Sequence, residues 1–349
     1  MKSFELAPGH RISQVIKGGW QLAGGHGAVD RKAGIEDMIA FADAGITTFD
    51  CADIYTGVEA MIGDFRAEYE RVRGAEALSK IKVHTKFVPD LGNLASISRA
   101  DVAKAIEVSL ERLKLEQLHL VQFHWWDYEI DRQVEVAGWL KELRDEGKIA
   151  NIGGTNFDTT QMQRMLDAGV PLVSMQVQYS LIDDRPSRSM AAAALAAGVS
   201  LLCYGSVGGG LFSERMLGAP EPKAPFENRS IVKYKLIVDE FGGWELFQDL
   251  LQTLDEIAKR HKSDIASVAS RAVLERPAVA AVIVGARNRN HLHRNLSIPG
   301  LSLNQEDFAR INAVLARANP VPGDVYALER DRSGKHGSVM KYNLNKEGH

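Results

Sequence analysis

The sequence predicts a closed (β/α)8 TIM barrel, one domain over residues 1–330, with a long loop after the seventh strand and a C-terminal extension at 331–349. Eight short strand-like runs carry the prediction: 14–21, 46–50, 82–87, 118–124, 149–153, 172–176, 200–204 and 280–284. Between them lie helical windows at 35–44, 59–69, 99–113, 133–146, 160–168, 187–197 and 246–275, several of which stop at Gly45, Gly147, Gly169 or Gly198. No Pro- or Ser-rich linker divides the chain. A doubly wound sheet would want G-x-G-x-x-G after an early strand. Gly24, Gly25 and Gly27 have the wrong spacing, the glycines of 205–210 come too late with no helix opening on them, and a Walker lysine is absent.

Taken in order, the runs end on residues with chemistry. The first ends near Trp20. The second, Ile46, Thr47, Thr48 and Phe49, enters through Asp43, Ala44 and Gly45 and stops on Asp50, with Tyr55 in the loop beyond. The third, KVHTKF, brings Lys86; the fourth, LVQFHWW, brings His124, then Trp125 and Trp126. Each has a plain alternative: an aspartate that caps a turn, a solvated lysine, a satisfied core histidine. Adjacent barrel strands, however, open on one shared mouth at their C-terminal ends. Asp50, Lys86 and His124 on three adjacent strands, with Tyr55 beside them, are hard to obtain by accident.

Later runs add a second group. LLCYGSVGGG places Gly205, Ser206 and Gly208 in a loop whose backbone amides suit phosphate oxygens. GARNRNHLHRN follows the eighth run and offers Arg287 and Arg294 as local positive charge; the alternative is a solvated helix start. Residues 212–245 are rich in Pro, Gly and charge, and read as a lid or an appendage. Phe226, Tyr234, Phe241 and Trp244 favour an ordered loop there. Residues 324–349 lack helical periodicity, so the tail past about Arg330 reads as disordered or as a cover over the site.

Composition narrows the class. The 349 residues are 45% hydrophobic and 25% charged, with net charge −3, so no basic field recommends a nucleic acid or an anionic membrane as partner. Cys51 and Cys203 read as small buried residues rather than a disulfide. No apolar leader or membrane span is present, and a cytoplasmic location is the expectation. No set of metal ligands gathers at the strand ends, which disfavours a metal-dependent hydrolase.

From about Gly18 to Asn295 the chain resembles the aldo-keto reductases, most clearly in FDCADIYTGVEAMIG, GKIANIGGTNF, SMQVQYS and LLCYGSVGGG. The resemblance implies that Asp50, Tyr55, Lys86 and His124 are the catalytic tetrad. It assigns Asn156 and Gln176 to the nicotinamide amide, Tyr204 to stacking under the ring, and Thr155 to a position that is often serine. Trp20, Gly285 and Asn295 join the expected cofactor contacts. His291 stands where the family commonly has Arg or Gln, and Gly285 with Ala286 replaces a Lys-Ser pair of some branches. NADPH is therefore favoured, with NADH left open.

The chemistry accounts for these residue types. Carbonyl reduction needs a hydride on one face and a proton for the developing alkoxide. A phenol near its usual pKa of about 10 is a poor donor, and the cation of Lys86 is expected to lower that pKa. Asp50 is the counter-ion for Lys86, and His124 orients the carbonyl. Trp20, Trp125 and Trp126 are expected to wall an apolar substrate pocket, at least one of them packing instead against the barrel. The expected substrate is an aldehyde, a ketone or a sugar-like or ring-bearing alcohol. The competing function is a nucleotide-bound sensor or ancillary subunit with little turnover.

Overall fold

The computed structural model describes residues 1–24, 30–226 and 229–347; Gly25, Gly27 and the last two residues of the tail lie outside them. A hairpin of β1 (Ser3–Ala7) and β2 (His10–Ser13) comes first. Eight strands then close a barrel: β3 (Val15–Gly18), β4 (Thr48–Asp50), β5 (Lys82–Phe87), β6 (Leu120–Phe123), β7 (Ile152–Thr155), β8 (Leu172–Gln178), β9 (Ser200–Tyr204) and β10 (Val279–Gly285). The order is β10-β3-β4-β5-β6-β7-β8-β9, with every neighbouring pair parallel. This is the predicted (β/α)8 architecture.

Strand alternation separates two interiors. Phe49, Val83, Val121 and Phe123 face out and pack with Phe41, Phe65, Leu140 and Met162 of the helical layer. Ile16, Leu120, Leu202 and Ile283 cluster with Leu6 and Ile12 of the hairpin, which therefore closes the N-terminal end of the barrel. Here His10 Nε2 lies 3.0 Å from His84 Nε2. The hairpin lies before the first predicted strand-like run, which begins at residue 14.

Two helical expectations need correction. The window 246–275 is two helices, Trp244–Arg260 and Ile265–Leu274. The break has a local cause: Lys262 turns to φ 51°, and the Asp264 carboxylate caps the second helix by accepting from Ser267 N at 2.9 Å. Residues 212–245 are not simply a loop, because Arg229–Phe241 is a helix. Ile231, Tyr234, Ile237, Val238 and Phe241 on its one face join a core shared with Phe247 and Leu251.

The C-terminal stretch is tied down in several places. Arg185, 1% exposed, is bidentate to Asp183 in the loop after β8 and bonds Glu329 through two nitrogens at 2.9 and 3.0 Å. Further on, Leu91 N donates to Tyr342 O at 2.9 Å and Asn345 Nδ2 to Val88 O at 2.9 Å. No helix among the described residues is long and apolar enough to cross a membrane. Cys51 and Cys203 are free and buried.

Candidate active site

At the C-terminal mouth of the barrel lies a cavity of about 600 Å3. Its floor is the Asp50 carboxylate at the end of β4. One oxygen accepts from Lys86 Nζ at 2.6 Å; the other accepts from Gln122 Nε2 at 2.9 Å and Gln176 Nε2 at 2.7 Å. Lys86 also donates to Cys51 O at 2.7 Å. Both members of the Lys86–Asp50 pair are 6% exposed, and such a buried ion pair holds only when its remaining hydrogen-bonding capacity is filled. Here the two glutamines and a carbonyl fill it.

The loop leaving β4 delivers the phenol. Asp53 accepts from Val88 N at 2.9 Å and Ile54 N at 2.8 Å, and Tyr55 N closes a turn on Ala52 O at 3.0 Å. Lys86 Nζ then stands 5.2 Å from the Tyr55 ring centre, and the Trp20 ring centre lies 5.1 Å from it. Burial pushes the Tyr55 phenol up, and the pull of Lys86 in the opposite direction does not prevail. Lys86 lowers the phenol's pKa as expected, and burial is the larger effect. For Lys86 itself, burial disfavours the ammonium, but Asp50 and Tyr55 outweigh it and its pKa is raised.

His124, just past β6, is 2% exposed. Its Nδ1 lies 3.0 Å from Thr155 O, and a carbonyl can only accept. Nδ1 therefore carries the proton. Burial, reinforced by Arg330, lowers the imidazole pKa to about 3, so the ring is neutral and Nε2 is a bare acceptor. No group among the described residues bonds Nε2. Trp126 and Tyr326 meet the ring edge-on at 4.3 and 5.7 Å.

Asn156 follows β7 in the left-handed region at φ 61°. Three contacts hold it there: its N–H donates to Gln176 O at 2.9 Å, its Oδ1 accepts from Tyr204 Oη at 2.7 Å, and its carbonyl accepts from Arg330 Nη2 at 2.6 Å. Trp20, Thr155, Asn156, Gln176, Tyr204, Gly205, Gly285, Arg287, His291, Arg294 and Asn295 all line the cavity with Asp50, Tyr55, Lys86 and His124. Three anticipated residues do not. Ser206 turns away to Ser270, 3.0 Å between hydroxyls, and a Cβ at Gly208 would face Phe212 rather than the cavity. Trp125 is fully buried, donates to Ile130 O at 2.9 Å and packs on Phe123. Trp20 and Trp126 form the wall.

The residues present fit a nicotinamide dinucleotide. Gln21 Oε1, Trp126 Nε1 and Asn295 Nδ2 belong to lining residues and are buried without a protein partner among the described residues. The glycine positions keep the backbone accessible: a Cβ at Gly205, at φ +81°, would come 2.7 Å from Tyr234 Oη. Arg294 is exposed and lies 3.9 Å from both Glu214 and Asp264.

Sequence reasoning missed Gln122, Tyr326, Arg330 and Lys233. Gln122 was legible, since a polar residue two before His124 must share its inward face. Tyr326 and Arg330 had no signal, because they reach the site from a segment without periodicity.

The aldo/keto reductase family model matches residues 14–316. The aldo-keto reductase YhdN of Bacillus subtilis (strain 168) is 30% identical over 314 residues, 88% of this chain and 91% of that protein. A chloroplastic pyridoxal reductase of Arabidopsis thaliana is 27% identical over 276 residues, 75% of this chain and 71% of the relative. The solved structure of a glycerol dehydrogenase from Gluconobacter oxydans superposes with a TM-score of 0.75 at 25% identity, covering 90% of this chain and 95% of that one. A match that runs through every barrel strand makes this chain a member of the aldo/keto reductase family, and its chemistry the exchange of hydride between a nicotinamide and a carbonyl or alcohol.

Proposed function

We propose that Tyr55 is the general acid and base of this exchange, with Lys86 as its cation, Asp50 as the counter-ion and His124 as an acceptor for substrate. The observation that carries the reading is one constellation: Lys86 Nζ 2.6 Å from Asp50, 5.2 Å from the Tyr55 ring, and His124 Nε2 unpaired on the same cavity. When bound, the nicotinamide supplies or takes the hydride. The protein's own groups handle the proton. In reduction the neutral Tyr55 phenol donates to the carbonyl oxygen, and Lys86, whose charge works against the effect of burial, stabilises the phenolate left behind. In oxidation the alcohol first rests its O–H on His124 Nε2 and then turns that one proton to the Tyr55 phenolate, which takes it as the hydride leaves. A neutral ring committed to Thr155 through Nδ1 cannot donate to a carbonyl, so His124 serves the alcohol better than the ketone.

Asn156 and Gln176 are proposed to hold the carboxamide and Tyr204 to stack on the ring. Gly205, Gly285, Asn295 and the cations Arg287 and Arg294, with His291, are proposed to hold the phosphate-bearing half. We favour NADPH over NADH on those two arginines. The apolar wall of Trp20, Ile54, Val88 and Trp126 supports an aldehyde, ketone or ring-bearing alcohol of moderate size. A cytoplasmic location is proposed, in keeping with two free thiols.

The test is Tyr55→Phe. Cofactor affinity, read by fluorescence quenching, is expected to stay within about twofold while turnover falls roughly 10²- to 10⁴-fold. A variant that keeps near wild-type turnover sinks the assignment.

A further inference from the structure

The insertion helix carries a charge that the proposed chemistry does not use. Lys233 lines the active cavity on the same helical face as Ser230 and Tyr234. Its ammonium lies 3.5 Å from Tyr204 Oη and 4.9, 5.8 and 5.5 Å from the ring centres of Tyr204, Tyr234 and Tyr326. Among the described residues Tyr204 Oη is its one hydrogen-bond partner, and no carboxylate forms an ion pair with it. An ammonium has three N–H groups to satisfy. Burial pushes its pKa down, while Glu329 pulls it up.

The surroundings leave it poised for an anion. Asp183, Arg185 and Glu329 bond one another in a buried triad, with Gln178 also donating to Asp183 at 2.6 Å, and Glu329 acts on Lys233 through space only. Lys233 is half-buried, and three tyrosine rings stand around its ammonium and offer π faces but a single oxygen within reach. Tyr204 and Tyr326, the rings it touches, flank Asn156 and His124 respectively. A cation half-desolvated in this way gains most from a charged oxygen arriving in the cavity.

We propose that Lys233 is the receptor for an anionic oxygen, carboxylate or phosphate, bound in the active cavity and carried by the substrate or by the cofactor. The inference rests on the proposed reaction only for the substrate arm. The enzyme would then discriminate between substrates by charge through a residue supplied by the insertion, not by the barrel. A purely structural lysine, balancing the negative triad, would affect stability without discriminating between ligands.

The experiment compares wild type, Lys233→Met and Lys233→Arg. Two probes of similar size are used, para-carboxybenzaldehyde and para-methylbenzaldehyde, with NADPH and NADH titrated separately by fluorescence. A substrate anion predicts that Lys233→Met raises KM for the carboxylate probe about tenfold or more, leaves the methyl probe within about twofold, and is largely rescued by Lys233→Arg. A cofactor anion predicts a comparable weakening of NADPH and NADH alike, with no split between aldehydes. Equal losses on both aldehydes at unchanged cofactor affinity, or no loss on any ligand, overturn the proposal. If Lys233→Met does not fold, wild type decides by inhibition: neither benzoate nor inorganic pyrophosphate inhibiting against its matching ligand also overturns it. Should neither aldehyde react, the proposed reaction fails on its own, and the cofactor titrations still judge Lys233.

Discussion

The hairpin plug makes acid stability a quantitative test of the barrel's closed end. His10 is 5% exposed and its ring nitrogen is 3.0 Å from that of His84; burial, then Lys82, lowers its pKa to about 4. One ring donates and the other accepts, so protonating the accepting nitrogen turns a bond into two opposed donors. A histidine depressed in the folded state contributes stability that is intact above its unfolded pKa, near 6.5. That contribution is lost as pH falls from about 6.5 to about 4. At pH 5 the loss from His10 is roughly 2 kcal/mol, a large fraction of a stability of about 5–15 kcal/mol. Asp53 runs the other way, because burial raises its carboxyl well above the usual range and it takes up a proton on folding. A difference of differences removes it. Urea unfolding of wild type and His10→Gln, followed by tryptophan fluorescence at pH 8 and pH 5, is expected to show the variant losing roughly 2 kcal/mol less between the two. A variant that loses as much as wild type refutes the assignment of the acid sensitivity to His10.

Two further outcomes follow from the site and its cover. Replacing Arg287 and Arg294 with Ala is expected to weaken NADPH at least about tenfold and leave NADH nearly unchanged, because only NADPH carries the extra phosphate; equal losses in the two titrations would reassign the arginines to the shared pyrophosphate. Glu329→Gln leaves Arg185 bonded to Asp183 with its second carboxylate partner removed. It is expected to cost about 3–5 kcal/mol in denaturant unfolding and to lower kcat/KM by loosening Tyr326 from His124.

What the sequence made legible follows a physical line. Asp50, Lys86 and His124 were readable because strands of period 2 ending on polar residues leave few places for those side chains to go. Tyr55 came with them, one short turn away. Trp125 and Trp126 could not be told apart, since adjacent residues at a strand end face opposite sides and only the register of the barrel decides which one meets the cavity. The insertion helix was hidden by Pro and Gly before Arg229, although Ile231, Tyr234, Ile237, Val238 and Phe241 show helical spacing with Lys233 placed on the buried side. Where the chain leaves regular structure, as at Tyr326 and Arg330, contact depends on tertiary closure and no local pattern announces it. The balance at Tyr55 was illegible for another reason: burial and a neighbouring cation oppose each other, and only geometry says which is larger.

The joining of Arg185 to Glu329 sets an order of events during synthesis. Arg185 leaves the ribosome 144 residues before Glu329, and Asn156 precedes by 174 the arginine that fixes its carbonyl. All eight barrel strands are complete by Gly285, so a nascent chain can close its barrel while a buried arginine still lacks its second carboxylate and the loop after β7 lacks its clamp. A chain that stops short of Glu329 keeps a buried guanidinium without its second carboxylate and leaves Asn156 without the arginine on its carbonyl.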